Sequence, residues 1–232
     1  MCGRFYLDVP KAQLIAHYGL PAMSAPSPRR HNIAPSQDIL AVRAIDGNER
    51  TISFLHWGLI PSWSKEAKPH YSMINARAET VANKPAFRAA FKRRRCLIPV
   101  SGFYEWHPED KYKQPYVITM KHQAEHDAVL FSLAGLWEHW EGEDGKVIES
   151  CSIIVTDANA VLKPIHDRMP VILDPENYTP WLDPDNHDTD KLTALLKPYP
   201  ATQMTAYPVS RRMNDPTYDR LDCIQPIELK ER

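Results

Sequence analysis

The 232-residue sequence predicts an α+β fold, in which a strongly curved, mostly antiparallel, barrel-like β-sheet is flanked by short helices. Three observations lead to this prediction. Short apolar segments recur with turn-rich, charged segments between them, which is typical of antiparallel sheets. Helical periodicity is confined to a few short stretches. No linker and no internal repeat divides the chain, so residues 1–232 are predicted to form a single domain.

The first part of the chain predicts one helix, one loop and one hairpin. Residues 8–20 are expected to form a short amphipathic helix, because apolar side chains recur on one face before Gly19 ends it. Residues 21–36 are rich in Pro and Ser and are predicted to be a surface loop. Residues 39–44 and 51–58 are predicted to be paired strands, since turn-forming residues separate them.

Residues 83–95 are predicted to form a helix with Asn83 as its N-cap and Pro85 in its first turn. Five basic side chains lie toward its end: Arg88, Lys92, Arg93, Arg94 and Arg95. They are expected either to form a solvated face that stabilises the helix C-terminus or to bind phosphate. The sequence leaves both interpretations open.

The second part of the chain predicts a series of strands followed by two helices. The predicted strands cover residues 96–106, 115–120, 128–137, 149–158 and 169–173. One helix is predicted from Asp174, where an N-cap residue is followed by Pro, and another over residues 188–196. The final residues, 227–232, are expected to be frayed.

Composition excludes several classes of protein. The chain is 43% hydrophobic and 25% charged with a formal net charge of −1, as in ordinary globular proteins. No apolar run approaches the roughly 18 residues of a membrane helix, and no signal-peptide pattern is present. The four cysteines are widely spaced without a CxxC motif, which argues against a zinc ribbon and a disulfide scaffold. We therefore expect a reducing, cytoplasmic location, and any nucleic acid must bind a local basic surface.

Cys2 is the residue with the most distinctive chemistry. Removal of Met1 would leave an α-amine and a thiol on one residue, both partly in their nucleophilic forms near neutral pH. Such an aminothiol condenses with an aldehyde to an imine, and the thiol then closes a five-membered thiazolidine. Acyl transfer by the thiolate is a second possible reaction. A cysteine near a terminus can also be a small buried apolar residue.

Several polar and aromatic residues have both a structural and a functional interpretation. Glu105 lies in the aromatic segment GFYEW, so it either faces water or is buried with a raised pKa, as suits a general acid or base. His166 lies in the polar sequence PIHDRMP, where a structural role is the more common one. Asn75 is expected to share a strand face with Arg77, and its amide could orient an amine or an oxyanion. Trp57 and Trp63 could be core residues or stacking surfaces for bases, as could any Trp in such a stretch.

Together these segments resemble the SOS-response-associated peptidase (SRAP) family. The matching motifs occur in order from Cys2 to Ser210: MCGRF at the start, NIAP at 32–35, WGLIPSW at 57–63, INARAET at 74–80, CLIPVSGFYEW at 96–106, IHDRMPVIL at 165–173 and YPVS at 207–210. The resemblance implies recognition of abasic sites in single-stranded DNA and removal of Met1 by self-processing. The cysteine would then crosslink to the ring-opened sugar as a thiazolidine, with strand cleavage by β-elimination open to the imine.

The resemblance also implies roles for individual residues. Cys2 would supply both nucleophiles, and Asn75 would position its amine and the sugar. Glu105 would act as the acid/base carboxylate, and His166 would assist opening of the sugar ring. The implied DNA-binding set contains phosphate-binding arginines, residues along the strand path and the serine of the YPVS motif: Arg4, Arg77, Arg168, Pro35, Trp57, Trp63 and Ser210. No metal ion or cofactor is implied, and a monomer is expected.

Two other functional classes remain open on the sequence. Cys2 could be the nucleophile of an amidase or peptidase, which would require an oxyanion hole beside it. The aromatic residues could instead form a base-binding cage in a non-catalytic reader of modified bases. Such a reader would keep its function when Cys2 is replaced by Ser or Ala, whereas a crosslinking protein would lose it.

Overall fold

The computed structural model describes residues 2–21, 29–44, 49–67, 73–109, 112–121 and 129–229. This part of the chain contains thirteen strands and four α-helices. The strands are β1 (Phe5–Leu7), β2 (Arg30–Ile33), β3 (Asp38–Ala44), β4 (Arg50–Trp57), β5 (Asn75–Arg77), β6 (Arg95–Val100), β7 (Gly102–Pro108), β8 (Lys113–Met120), β9 (Phe131–Glu141), β10 (Val147–Asp157), β11 (Arg168–Pro170), β12 (Ile172–Leu173) and β13 (Met204–Pro208). The α-helices are α1 (Lys11–Tyr18), α2 (Arg88–Arg93), α3 (Tyr178–Leu182) and α4 (Thr189–Ala194).

The strands form two sheets. The smaller sheet has the order β13-β8-β7-β1-β2, and the larger has the order β11-β10-β4-β3-β6-β9-β12 with β5 beside β10. Because β9 also pairs with β10, five strands of the larger sheet close into a hydrogen-bonded ring. The named strand pairs in the described part of the chain are antiparallel, apart from β4 and β5, which run parallel to β10. The α+β class and the mostly antiparallel pairing are therefore confirmed, whereas a single domain over 1–232 stays a prediction.

The predicted hairpin is confirmed, and its register is regular. Asp38 pairs with His56 and Ala44 pairs with Arg50 across β3 and β4. The predicted turn at 46–48 lies outside the described residues. The central residues of β3, 39–42, are all buried, so both faces of this pleated strand are covered.

The segment predicted as one strand over residues 96–106 is two strands that belong to different sheets. The chain bends at Ser101, so that β6 lies in the larger sheet and β7 in the smaller one. The bend is tied to β1, because the Ser101 N–H donates to the Tyr6 carbonyl at 2.8 Å. A side chain at Gly102 would collide with the Tyr6 ring, so glycine allows the two strands to approach closely. This crossing brings Glu105 beside the N-terminal strand.

The predicted helix over 83–95 is shorter than expected. It begins at Arg88, and the residues before it form turns in which Asn83 does not act as a cap. Arg95 is the first residue of β6 and is buried, where its guanidinium donates to the carbonyls of Trp181 and Phe91 at 2.6 and 2.8 Å. These tertiary partners outweigh helix propensity. The expected basic helix end is therefore only partly available for phosphate.

The other predicted helices are close to those observed. Helix α1 ends at Gly19, which has a φ of 61° and donates its N–H to the Ile15 carbonyl. The expected helix start at Asp174 is a 3₁₀ turn over Pro175–Asn177 that leads into α3. Helix α4 is capped by Asp188, which accepts a hydrogen bond from the Lys191 N–H at 3.1 Å.

Several strands were not predicted, because their partners are distant in sequence. Strand β2 lies within the predicted loop over residues 21–36 and pairs with β1. The predicted strand over 169–173 divides into β11 and β12, which pair with β10 and β9 respectively. The expected fraying does not include Ile227, whose N–H donates to the Pro208 carbonyl at 3.0 Å. Residues 230–232 lie outside the described part of the chain.

One continuous apolar core joins the two sheets, and both Cys2 and Trp57 belong to it. The Trp57 ring contacts Phe5 with ring centroids 5.2 Å apart, and its Nε1 donates to the Ile74 carbonyl at 3.0 Å. Trp57 has no exposed surface, so the core interpretation is confirmed and the base-stacking one is wrong. Among the described residues, no helix is long and apolar enough to cross a membrane.

Candidate active site around Cys2

Cys2 lies three residues before the start of β1 and is fully buried. The thiol is free, as are those of the other three cysteines: Cys96, Cys151 and Cys223. Burial raises the pKa of the Cys2 thiol, and the negative charge of Glu105 raises it further. The thiol is therefore neutral in the resting site, and a reaction at sulfur needs a nearby base to accept its proton.

Glu105 is the carboxylate placed to accept that proton. Strand β7 pairs with β1, and the Tyr104 N–H donates to the Arg4 carbonyl at 2.9 Å, which aligns Glu105 with the start of the chain. The side chain is 2% exposed, and burial raises the pKa of Glu105 to about 7, while the positive terminal amine acts in the opposite direction. The buried alternative for Glu105 is thus confirmed. Near neutral pH this group populates both its acid and its base form.

His166 lies in the segment between β10 and β11 and is neutral near pH 7. Burial lowers the pKa of His166, and the positive terminal amine lowers it further. Its Nδ1 accepts a hydrogen bond from the Arg168 N–H at 3.0 Å, and it lies 3.0 Å from the Asp167 carboxylate. The Asp167 side chain is 87% exposed and screened by water, so we assign the fixed backbone contact as the dominant one. This leaves the ring proton on Nε2, which can act as a donor.

Glu105 and His166 line a cavity of about 510 Å³ that opens to the surface. The remaining lining residues are Trp106, Lys113 and Asn214. The Trp106 Nε1 donates to Asn214 Oδ1 at 2.7 Å, which joins β7 to the C-terminal part of the chain at the cavity wall. The cavity connects the acid/base groups to solvent and has space for a sugar-sized molecule.

Asn75 lies on β5, opposite Ile153 of β10. Its Nδ2 donates to the Ile74 carbonyl at 3.0 Å, and the same carbonyl accepts from Trp57, whose ring packs against Phe5. Asn75 therefore lies near Trp57, which packs on the N-terminal strand, but these contacts do not join Asn75 to that strand directly. The Asn75 Oδ1 is buried and has no hydrogen-bond partner in the described part of the protein. A buried acceptor of this kind can hold an amine N–H.

Two of the three arginines implied as phosphate ligands are already bound within the chain. Arg4 Nη1 donates to Asn32 Oδ1 at 2.6 Å and to the Met213 carbonyl at 2.9 Å. Arg168 makes a short ion pair with Glu79 and lies 3.3 Å from Asp157. Arg77 is exposed on β5 and forms no ion pair with a described residue. Of the three, Arg77 is the cation that is free to meet a phosphate.

The other residues of the implied DNA-binding set differ in their exposure. Trp63 is 66% exposed, and Pro35 is partly exposed. Ser210 accepts a hydrogen bond from the Arg212 N–H at 3.3 Å, so it caps a 3₁₀ turn over Arg211–Asn214. Trp57 is excluded from this surface by its burial. Of the two tryptophans in the implied DNA-binding set, Trp63 is therefore the one with an exposed ring on which a base could stack.

The sequence interpretation did not identify Asn32, Trp106, Lys113 or Asn214. Asn32 is fully buried, and its amide donates to the carbonyls of Met213, Asp215 and Tyr218 at 2.7–3.0 Å. The only local signal for it was its place in the NIAP motif. Within the described ranges, no group of three His, Cys, Asp or Glu side chains has the arrangement of a metal site.

Cys2 and Glu105 are buried close enough for their charges to interact, and Glu105 and His166 line an open cavity. This arrangement is that of a candidate cysteine active site. The model of the SOS response associated peptidase (SRAP) family matches residues 1–216, and the chain belongs to this family.

The chain is similar to named relatives over nearly its whole length. The chain is 43% identical over 229 residues to the abasic site processing protein YoqW of Bacillus subtilis, covering 97% of this chain and 99% of that protein. It is 44% identical over 219 residues to the abasic site processing protein YoaM of the same species, covering 93% and 94%. The abasic site processing protein HMCES of Xenopus tropicalis is 34% identical over 205 residues, covering 81% of this chain and 61% of that protein.

Solved structures show the same fold. A protein from Bacteroides thetaiotaomicron superposes with a TM-score of 0.81 at 26% identity, covering 98% of this chain and 100% of that chain. A protein from Bordetella bronchiseptica gives a TM-score of 0.76 at 25% identity, covering 90% and 100%.

Proposed function

We propose that this protein recognises abasic sites in single-stranded DNA and crosslinks to them through Cys2 after loss of Met1. The product is a thiazolidine that shields the lesion as part of the DNA damage response in the cytoplasm. The observation that carries the proposal is the buried carboxyl group of Glu105 beside the neutral thiol of Cys2. Burial raises the pKa of this carboxyl group to about 7. The names of the curated relatives, which are abasic site processing proteins, support the choice of substrate.

The chemistry needs one group that first gives and then takes a proton. The free amine of Cys2 adds to the sugar aldehyde, and the resulting carbinolamine loses water when the acid form of Glu105 protonates its hydroxyl. The thiol then adds to the imine carbon, its proton passes to the Glu105 carboxylate, and the imine nitrogen becomes an amine. One water is released and no redox change occurs. A carboxyl group with a pKa near 7 can perform both proton transfers.

The abasic sugar must first open, because the closed hemiacetal offers no aldehyde. In this proposal the Nε2–H of His166 hydrogen-bonds to the ring oxygen of the sugar and stabilises it as the bond to the anomeric carbon breaks, while a water molecule passes the proton of the anomeric hydroxyl to that oxygen. The free Oδ1 of Asn75 accepts an N–H of the attacking amine and directs its lone pair toward the aldehyde. The imine stage can also undergo β-elimination, which would cleave the strand, and closure of the thiazolidine competes with this loss.

Removal of Met1 can use the same groups. The Cys2 thiol adds to the Met1 carbonyl while Glu105 accepts the thiol proton, and the carboxylic acid then protonates the departing Cys2 nitrogen. Water hydrolyses the resulting thioester, which releases methionine and restores the thiol. Both C2A and E105Q proteins should therefore retain Met1, as intact mass would show after expression in cells whose methionine aminopeptidase is inhibited.

The proposed DNA path uses an exposed cationic side chain and an exposed aromatic one. Arg77 contacts a backbone phosphate, and Trp63 stacks on a base. Pro35 and Ser210 border the same path. The chain has a net charge of −1 and Arg77 is the phosphate contact of this path, so log affinity is expected to fall with log salt with a shallow slope of about −0.7.

The test mixes the purified protein with a single-stranded oligonucleotide bearing one abasic site and with the intact oligonucleotide as control. A denaturing gel without borohydride should show a shifted band with the abasic strand alone, and C2A should abolish it. An unshifted wild-type band from protein whose mass confirms loss of Met1 would contradict the proposal. Small amide substrates for Cys2 would then be the next candidates.

A further inference from the structure

The sugar of an abasic site carries a phosphate on each side, so its entry brings negative charge to the mouth of the cavity. Glu105 already contributes a carboxylate to the wall of this cavity and is partly ionised near neutral pH. A second negative group is tolerated only if a cation lies close to it, because like charges repel strongly where water is limited. The cavity therefore needs a cation at its rim.

The arginines that would be expected to supply this charge are engaged elsewhere. Arg4 donates to Asn32 and to the Met213 carbonyl, and Arg168 is paired with Glu79 and Asp157. Releasing Arg4 would break two partly buried hydrogen bonds, and releasing Arg168 would break its ion pairs with Glu79 and Asp157. Arg77 is free, but it is not among the residues that line the cavity.

Lys113 is the basic residue that lines the cavity together with Glu105 and His166. It is the first residue of β8 and pairs opposite Pro108, so its side chain shares the hairpin face of Trp106, which forms the adjacent wall. It is exposed and forms no ion pair with a described residue. Its positive charge also contributes to lowering the pKa of His166, with burial as the largest cause, as expected for two groups that line one cavity.

We propose that Lys113 is a substrate-binding residue that contacts the phosphate adjacent to the reacting sugar and thereby selects phosphorylated abasic sugars over neutral aldehydes. The inference rests on the proposed function and deepens it. The Lys113 ammonium forms an ion pair with a phosphate oxygen, and it offsets the charge of Glu105 when the sugar enters. Lys113 takes no part in bond formation.

The test compares wild-type protein with K113A, K113R and K121A. Lys121 is exposed just beyond the other end of β8 and serves as a matched control. The substrates are an abasic single strand, 2-deoxyribose 5-phosphate and unphosphorylated 2-deoxyribose. Adduct formation is followed by denaturing gel for the strand and by intact mass for the sugars, with circular dichroism to confirm folding.

K113A should slow the reaction about fivefold at low concentrations of either phosphorylated substrate, as expected for the loss of one partly exposed ion pair. K113A should raise the half-saturating concentration of the phosphorylated substrate and leave the maximal rate unchanged. The slope of log rate against log salt for the DNA should become shallower by about 0.7. K113R should recover most of the rate and K121A should match wild type, and K113A should lose much less rate with unphosphorylated deoxyribose than with 2-deoxyribose 5-phosphate.

An equal loss by K113A on phosphorylated and unphosphorylated sugars would overturn the inference, since it would mean that Lys113 acts through the protonation of the site. Wild-type rates for K113A on all substrates would overturn it as well. A wild-type protein that forms no adduct with any of the three substrates would refute the proposed function itself.

Discussion

Replacing Glu105 by glutamine should make the protein more stable and its crosslinking reaction much slower. The carboxyl group is 2% exposed, and its pKa is raised from 4.5 to about 7, chiefly by burial. A raised carboxyl pKa means that the fold binds a proton more tightly than the unfolded chain does. The folded state is therefore penalised at any pH at which the unfolded carboxyl is ionised.

The size of the penalty follows from the two pKa values. Below pH 4.5 the carboxyl is protonated in both states and costs nothing. The cost then grows as the pH rises and levels off above the folded pKa, where it reaches about 3 kcal/mol. Glutamine never ionises, so E105Q should exceed wild type by up to about 3 kcal/mol at pH 8 and by less than about 1 kcal/mol at pH 5.

The assay measures two quantities on the same variants. Urea unfolding at pH 5 and pH 8 gives the free energy of unfolding, and E141Q, at an exposed position on β9, provides the control. Crosslinking to an abasic strand between pH 5.5 and 9 gives the rate. Loss of a general acid/base should reduce that rate by about 10²- to 10⁴-fold. It should also remove the inflection expected near pH 7 in wild type.

Two results would refute this reasoning. If the free energies of unfolding of E105Q and wild type differ by the same amount at pH 5 and at pH 8, Glu105 does not have a raised pKa in the folded protein. If E105Q crosslinks at the wild-type rate with the same pH profile, the carboxyl group takes no part in the proton transfers. The first result concerns the electrostatics of the site and the second its chemistry, so they are separable.

Three further changes test other parts of the site. H166A should slow the reaction with the closed abasic sugar about 100-fold but leave the reaction with propanal near the wild-type rate, because propanal needs no ring opening. W63A should weaken binding of single-stranded DNA about tenfold, as expected for the loss of a stacked base, without changing urea unfolding, since Trp63 is 66% exposed. N32A should lower the free energy of unfolding by about 3 kcal/mol, because three carbonyls and Arg4 lose a buried partner.

Each of these predictions has a contrary outcome. Equal slowing of H166A with propanal would assign His166 to a step after ring opening. Unchanged binding by W63A in a filter or anisotropy assay would remove Trp63 from the DNA path. A wild-type free energy of unfolding for N32A would show that its hydrogen bonds are replaced by water at little cost.

Local sequence patterns predicted the elements whose partners are close in the chain. The hairpin of β3 and β4 was predicted from alternation and a turn signal, and the end of the first helix at Gly19 was predicted from a single residue type. These features depend on a few consecutive dihedral angles and hydrogen bonds. The chemistry available to Cys2 was likewise evident from its position, because an aminothiol is a property of one residue.

Long-range contacts decided the features that were missed. The bend at Ser101 divides one apolar segment between two sheets because of a hydrogen bond to Tyr6 and the close approach at Gly102. Arg95 leaves the predicted helix for a buried position among carbonyls from residues about 90 positions later. Trp57, which the motif context associated with DNA, is inside the core. None of these outcomes is encoded in the neighbouring residues alone.

By itself, the sequence determined the α+β class, the strand-rich core, the reactive group at position 2 and the residue types that could act with it. Only the tertiary structure decided that Glu105 is buried with a pKa of about 7, that Arg4 and Arg168 are engaged within the chain, and that Lys113 faces the cavity. The physical reason is that a pKa, an ion pair and a cavity wall depend on desolvation and on groups brought together from distant parts of the chain.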